Sequence, residues 1–149
     1  MSIPYSTQAA AREPFLATVR ELARAYQAFS AYSERFVRQY DLTPAQFDVV
    51  ATLGNTSGLS MGDLGEKTLI TKGTLTGIVD RLEKKGLVHR KVPPENRRSV
   101  IVGLTPDGKV LFEQAFPAHI ADMKQHLEAI NPSELELLRV LLGRLQQAF

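Results

Sequence analysis

The sequence contains no cysteine among its 149 residues. This absence excludes disulfide bonds, thiolate nucleophiles and cysteine-based metal or redox sensing. The sequence also lacks a run of 18 apolar residues, and its N-terminus lacks a basic segment followed by an apolar one. These patterns predict neither a membrane span nor a secretory leader, so we expect a cytoplasmic protein with no membrane partner.

Motifs that carry enzyme chemistry are missing as well. The sequence has no GxSxG, no glycine-rich phosphate loop and no HExxH. Its three histidines, His89, His119 and His126, are separated by element type or by two helical turns, without a cluster of carboxylates. We therefore predict no metal site, no cofactor and no enzymatic activity.

The composition is that of an ordinary globular protein, with 44% hydrophobic and 23% charged residues and no low-complexity segment. The net charge is only +2, but it is unevenly distributed. Residues 71–98 carry eight basic and three acidic side chains, a balance of +5, which leaves −3 for the rest. The concentrated positive charge favours a nucleic-acid contact there, although a solvated helix end and loop is an alternative by charge alone.

Residues 71–105 have the pattern of a winged helix. Leu75, Ile78, Val79 and Leu82 follow helical spacing, and Gly86 stops the helix. Residues 87–92 and 99–104 then read as two strands around a turn rich in proline, asparagine and arginine. The helix can lie in a DNA major groove while the basic hairpin tip reaches the phosphates or the minor groove.

Two shorter helices are predicted before this segment. Thr43 and Gln46 form a capping-box pattern around Pro44, and Ser60 with Asp63 opens a second short helix. A tight turn leads to Thr71, which is predicted to cap the next helix. Short helices joined in this way are typical of a helix-turn-helix.

Long helices are predicted at both ends of the chain, after a loose arm at residues 1–11. The first carries an apolar seam close to a 3.5-residue period, which indicates a partner chain, and consists of Phe15, Val19, Leu22, Tyr26, Phe29, Phe36 and Tyr40. The second starts at Thr105, is expected to bend at Pro117, and is lined by Val110, Leu111, Phe116, Ile120, Met123 and Leu127. The last starts at Asn131-Pro132-Ser133-Glu134, a third helix start led by proline.

These patterns predict a mainly α fold with a small β-hairpin wing, a winged helix-turn-helix with long N- and C-terminal dimerisation helices. We assign residues 12–42 and 106–149 to the dimerisation region and residues 43–105 to the DNA-binding lobe. An alternative is a winged helix that serves only as a protein-interaction or adaptor module, in which apolar residues would replace lysine and threonine on the exposed helix face.

Three stretches of the sequence resemble the MarR family of winged-helix transcriptional regulators: LTPAQFDVVATL, TKGTLTGIVDRLEKKGLV and PPENRRSVIVGLTPDGK. The resemblance runs from about residue 12 to the C-terminus and is strongest from Leu64 to Gly108. It implies a homodimer that binds a pseudo-palindromic double-stranded operator, commonly as a repressor released by a small, often aromatic effector. The wing departs from the family pattern, because Pro93 and Asn96 stand where acidic residues are common.

The candidate DNA contacts lie on the exposed side of the central helix, on the helix before it and on the wing tip. They are Ser60, Thr71, Lys72, Gly73, Thr74, Thr76, Gly77, Arg81, Asn96, Arg97 and Arg98. For Ser60, capping of its helix explains the residue equally well. Asp80 is expected to pair with a wing arginine, because a carboxylate repels phosphate.

The resemblance also places effectors at the junction of the first helices with the DNA-binding lobe. The candidate effector residues there are aromatic: Phe29, Tyr32, Phe36, Tyr40 and Phe47. Aromatic residues at helical spacing more often form core, and that alternative stays open.

Overall fold

The computed structural model describes residues 5–149, which form seven helices and three short strands. In chain order these are α1 (Thr7–Ala10), α2 (Phe15–Arg38), α3 (Pro44–Leu53), β1 (Leu59–Ser60), α4 (Met61–Lys67), α5 (Lys72–Lys84), β2 (Val88–Lys91), β3 (Ile101–Leu104), α6 (Pro106–Leu127) and α7 (Pro132–Ala148). Within that described part, no helix is long and apolar enough to cross a membrane. The predicted mainly helical class with a small β wing is confirmed.

A single hydrophobic core joins α3, α4 and α5 to a three-stranded antiparallel sheet of order β1-β3-β2. Leu53, Leu64, Leu82 and Val102 are at most 1% exposed at its centre. In the hairpin, Arg90 lies opposite Val102 and Val88 opposite Leu104. Val88, Val102 and Leu104 are buried on one face of the sheet, and Arg90 lies on that same face, towards α5. His89 and Lys91 point to the other face, so the alternation fixes the direction of the wing.

The predicted helix starts are largely confirmed. The Thr43 hydroxyl accepts from Gln46 N at 3.2 Å and the Gln46 side chain accepts from Thr43 N at 3.1 Å. Thr105 and Asn131 cap α6 and α7 in the predicted way. Ser60 accepts from Asp63 N at 3.0 Å, without a reciprocal bond from Asp63 among the described contacts.

The predicted cap at Thr71 is wrong in its chemistry. Thr71 occupies the N-cap position of α5, but its side chain makes no capping bond to the helix backbone. Its hydroxyl instead lies 2.9 Å from the Thr74 hydroxyl. Because the two hydroxyls satisfy one another, the first turn of α5 keeps backbone N–H groups exposed.

One prediction is corrected near the N-terminus, and the structure contains one strand that the sequence does not predict. Residues 5–11 are not simply a loose arm, because the Ser6 hydroxyl caps the single-turn helix α1 at Ala9 N; residues 1–4 lie outside the described part. The loop before α4 also contains a strand, β1, whose Leu59 pairs with Val102. Two residues are too short to show an alternating pattern, and the pairing depends on a partner 43 positions away.

The long helices α2, α6 and α7 bury little of their apolar surface within the chain. On α6 the predicted stripe is only partly confirmed: Leu111 and Phe116 pack against the core, whereas Val110 and Ile120 are about half exposed. The buried residues Phe112, Ala115 and His119 are not part of the predicted stripe. Phe112 packs against Gly54, where a Cβ atom would lie 2.1 Å from its ring. The helix continues through Pro117, and α7 buries no residue at all.

Candidate nucleic-acid interface

The helix α5 has one buried and one exposed face. Leu75, Ile78, Val79 and Leu82 are at most 5% exposed and anchor it to the core. The candidate contacts on this helix and at its N-cap lie on the other side, and all but the half-buried Gly77 are exposed: Thr71, Lys72, Gly73, Thr74, Thr76, Gly77 and Arg81. The spacing of the apolar residues therefore dictates a polar face that is free to meet a partner.

Glycine makes the outer face of α5 smooth. A Cβ atom at Gly73 or Gly77 would meet no atom within 4 Å beyond the helix itself. Packing therefore does not require glycine at either position. A partner surface can therefore approach the backbone of the first two turns closely, as a DNA duplex does when a helix lies in its major groove.

The turn before α5 holds the helix at a fixed angle. The Leu69 N–H donates to Asp48 Oδ2 at 2.9 Å, and the Thr68 hydroxyl donates to the Leu64 carbonyl at 2.8 Å. Ser60 is half-buried at the start of α4, and its hydroxyl already accepts a backbone bond. Its remaining donor proton is free for an acceptor outside the chain.

The wing tip is shaped by Asn96. Its side-chain amide donates to Ser99 Oγ at 2.9 Å, and its carbonyl oxygen accepts from Arg98 N at 3.2 Å. Asn96 therefore organises the turn with neutral bonds. Arg97 and Arg98 are exposed, and neither forms an ion pair with another described residue, so both guanidinium groups are presented outward.

Arg90 on β2 joins the wing to α5. Its guanidinium donates to Asp80 at 2.7 Å and to Glu83 at 3.1 Å, and its backbone N–H donates to Glu83 at 3.1 Å. The prediction that Asp80 pairs with a wing arginine is confirmed, with the arginine on the strand and not at the tip. The three bonds fix the wing against the helix, and the single guanidinium charge offsets part of the negative charge of the two carboxylates near the candidate surface.

The eight basic side chains of residues 71–98 thus fall into two groups. Arg90 and Lys85 form ion pairs within the chain. The other six form none with any described residue and leave their charge outward: Lys72, Arg81, Lys84, Lys91, Arg97 and Arg98. Such an array of unpaired cations beside a helix suits phosphate groups spaced along a duplex.

The aromatic residues of the predicted effector site meet around a histidine that the sequence reasoning did not include. The His119 ring lies 4.8 Å from Phe36, 5.0 Å from Phe47 and 5.9 Å from Tyr32, measured between centroids. Tyr40 contacts Phe36 at the edge of this group, and Phe29 is half exposed beyond Tyr32. The group joins α2, α3 and α6, so it connects the long helices to the lobe.

A cleft of about 210 Å³ opens beside the cluster, lined by Tyr32, Arg35, Phe36, Asp122 and His126. Arg35, Asp122 and His126 were not predicted. His119, Asp122 and His126 follow each other at i, i+3 and i+7, so they share one face of α6. That spacing was the signal available in the sequence.

Two buried polar atoms in this cluster have no hydrogen-bond partner among the described residues: the Tyr32 hydroxyl and His119 Nε2. Burial raises the pKa of Tyr32 to about 12, and the nearby Asp122 carboxylate adds to the shift without a bond of normal geometry. Burial lowers the pKa of His119, against an opposing pull from Asp122. Both groups are therefore neutral near pH 7, and the two buried atoms have no partner in the described part of the chain.

Comparison with known proteins identifies the family. The model of the MarR family matches residues 42–100. The HTH-type transcriptional regulator MhqR of Bacillus subtilis is 29% identical over 123 residues, which cover 83% of this chain and 85% of MhqR.

Two solved structures share the fold. One is BpsR of Bordetella bronchiseptica, described as regulated in its DNA binding by 6-hydroxynicotinic acid; it has a TM-score of 0.75, 31% identity, and coverage of 87% of this chain and 98% of BpsR. The other is a mutant of MarR from E. coli complexed with operator DNA, with a TM-score of 0.77 and 26% identity, and the match covers 89% of this chain and 98% of that MarR chain. The chain therefore belongs to the MarR family of DNA-binding transcriptional regulators.

Proposed function

We propose that this protein is a homodimeric cytoplasmic repressor that binds a pseudo-palindromic operator and is released by a small aromatic effector. The observation that carries the proposal is the outward array of six basic side chains on α5 and the wing that form no ion pair with any described residue. Its family consists of transcriptional regulators, so we propose no enzymatic role. The polar outer face of α5 also argues against a protein-only adaptor, which would present apolar residues there.

The DNA contacts are assigned by geometry and chemistry. Lys72 and the hydroxyls of Thr74 and Thr76 are placed to reach base edges or phosphates from the exposed face of α5. Arg97 and Arg98 project from the tip fixed by Asn96, and we assign them to the minor groove and its flanking phosphates. The remaining contacts are assigned as the sequence predicts them: Ser60, Thr71, Gly73, Gly77, Arg81 and Asn96.

The terminal helices support a dimer. Phe15 and Tyr26 on α2 are more than half exposed, as is Leu137 on α7. An apolar groove of about 640 Å³ runs between α6 and α7, lined mainly by Ile120, Met123, Leu127, Ile130 and Leu135. Because no residue of α7 is fully buried within the described part of its own chain, a second copy is the natural cover for this surface. We therefore propose residues 12–42 and 106–149 as the dimerisation region and residues 43–105 as the DNA-binding lobe.

The cleft beside the aromatic cluster supports an effector site. It has space for a single aromatic ring, with Arg35 able to pair with an acidic substituent. The buried Tyr32 hydroxyl and His119 Nε2 offer unused hydrogen-bonding capacity. That BpsR is regulated by a hydroxylated aromatic acid makes such acids the first compounds to test. In this proposal Tyr32 and Phe36 hold the ring, Phe47 supports the site from behind through its contact with His119, and Phe29 and Tyr40 border it.

The DNA-binding proposal is tested by selecting bound duplexes from a random pool. We expect two inverted half-sites whose centres lie one helical turn apart, about 10 base pairs. Sedimentation should give twice the protomer mass. Recovery of a lone half-site together with a monomeric mass would refute the dimeric arrangement.

The effector proposal is tested by thermal shift and by operator release with hydroxylated aromatic acids. A binding acid should raise the melting temperature and dissociate the operator complex, and Tyr32→Phe should weaken both effects. An acid that releases the operator equally well from wild type and from an Arg35→Ala, Tyr32→Phe double variant would place the site elsewhere.

A further inference from the structure

Lys85, at the end of α5, is tied to a part of the chain that does not belong to the DNA-binding surface. Its ammonium group donates to the backbone carbonyl of Asp41. It also lies 3.4 Å from Gln46 Oε1. Asp41 and Gln46 both lie where α2 is followed by α3, in residues 39–46, which we call the α2–α3 corner. One side chain thus joins the C-terminal end of α5 to the place where the long helix enters the lobe.

The corner is a well-defined receptor for this ammonium group. Asp41 has a left-handed backbone with φ of 57°, which places its carbonyl outside the helix bonding pattern. Gln46 is 5% exposed, and its side-chain oxygen already accepts from Thr43 N at 3.1 Å. The Lys85 side chain is one-third exposed. The Asp41 carboxylate, at 3.7 Å, is fully exposed, so solvent screens that attraction and the two acceptor oxygens dominate.

The location suits a cation for a second reason. Lys85 is the C-cap of α5, and the corner follows the C-terminus of α2. Both helix ends carry partial negative charge from carbonyl groups without helical partners. An ammonium group between them is favourable to both, and it limits how far α5 can swing relative to α2.

We propose that Lys85 is a positioning residue that sets the angle between α5 and the long helix α2, and through it the separation of the two α5 helices in the dimer. Lys85 does not touch DNA in this proposal. The inference rests on the proposed dimer, because a single lobe has no separation to set. Loss of the Lys85 ammonium group should therefore weaken binding to a duplex with two half-sites and leave binding to a single half-site almost unchanged.

The experiment compares Lys85→Met with a control, Lys109→Met, at an exposed lysine on α6 that lies outside the basic array and forms no ion pair with a described residue. Both variants are measured on duplexes with two half-sites, with one half-site scrambled, and with the spacing changed by one base pair. We expect Lys85→Met to lose about tenfold on the two-site duplex, within the range by which residues outside a contact surface modulate binding. Its preference for the native spacing should flatten. Lys85→Arg should restore both properties.

Salt dependence separates positioning from direct contact. A residue that contacts phosphate lowers the slope of log affinity against log salt when it is removed. Lys85→Met should leave this slope at the wild-type value. A reduced slope, an equal loss on one and two half-sites, or no loss on any duplex would each overturn the proposal. Equal affinity of the wild type for one and two half-sites would overturn the proposed dimeric binding and the Lys85 role together.

Discussion

Removal of the two wing-tip arginines is the most direct test of how the protein binds DNA. Arg97 and Arg98 are exposed, and neither is engaged by a carboxylate in the described part of the chain. The double variant Arg97→Ala, Arg98→Ala removes four charges from the proposed dimer. If all four contact phosphates, the slope of log affinity against log salt falls by up to about 3.6.

This difference in slope produces a large difference in measured operator affinity. Across a fourfold rise in salt, the wild type should lose about a hundredfold more affinity than the double variant. Fluorescence anisotropy with a labelled operator measures both slopes. Arg38→Ala is a matched control, because Arg38 is exposed and pairs with Glu34 on α2, away from the wing. A slope unchanged in the double variant, or lowered equally in the control, would refute phosphate neutralisation by the wing.

Three further predictions concern the framework of the site. Arg90→Met keeps the aliphatic stem and should cost about 1 kcal/mol of stability, because the bonds from Arg90 to Asp80 and Glu83 are partly screened by solvent. The variant should also weaken operator binding by about fivefold, and unchanged affinity would show that the wing needs no tether to α5. Gly108→Ala should destabilise the fold by about 2 kcal/mol, because the new Cβ would lie 2.0 Å from the Leu87 carbonyl oxygen. Gly73→Ala places its Cβ in open space and should stabilise the helix, and chemical denaturation measures both effects. Since burial lowers the pKa of His119 in the folded state, its stabilising contribution is present above the unfolded value of 6.5 and is lost as pH falls through the folded pKa. Thermal unfolding at several pH values should therefore show a smaller loss of stability at low pH in His119→Phe than in the wild type, and an identical pH profile would contradict this.

The local signals in the sequence predicted the lobe well because each acts within a few residues. The capping box at Thr43, the stop at Gly86 and the buried row of Leu75, Ile78 and Val79 depend on neighbouring positions only. The structure confirms all of them. The same locality explains the wrong cap at Thr71, because a second hydroxyl at Thr74 competes for the side chain.

Features that depend on distant partners were not predictable in the same way. Strand β1 is two residues long and exists because Leu59 finds Val102. On α6, periodicity identified several apolar positions but not which row faces the lobe, since the choice of Phe112 depends on the gap at Gly54. No sequence pattern connects His119 with the aromatic residues of α2 and α3, yet it lies at the centre of the aromatic cluster. Single-helix patterns do not encode which helices meet.

The division of labour among the basic residues follows the same logic. In the sequence, Lys84 and Lys85 are indistinguishable, and Arg90 looks as available for DNA as Arg97. The fold gives Arg90 two carboxylates and Lys85 a carbonyl and an amide oxygen. A cation already satisfied within the chain gains less from a phosphate, because it must give up bonds to reach it. Charge count therefore sets an upper bound on the phosphate contacts of this surface, and internal pairing decides which cations hold the geometry and which meet the duplex.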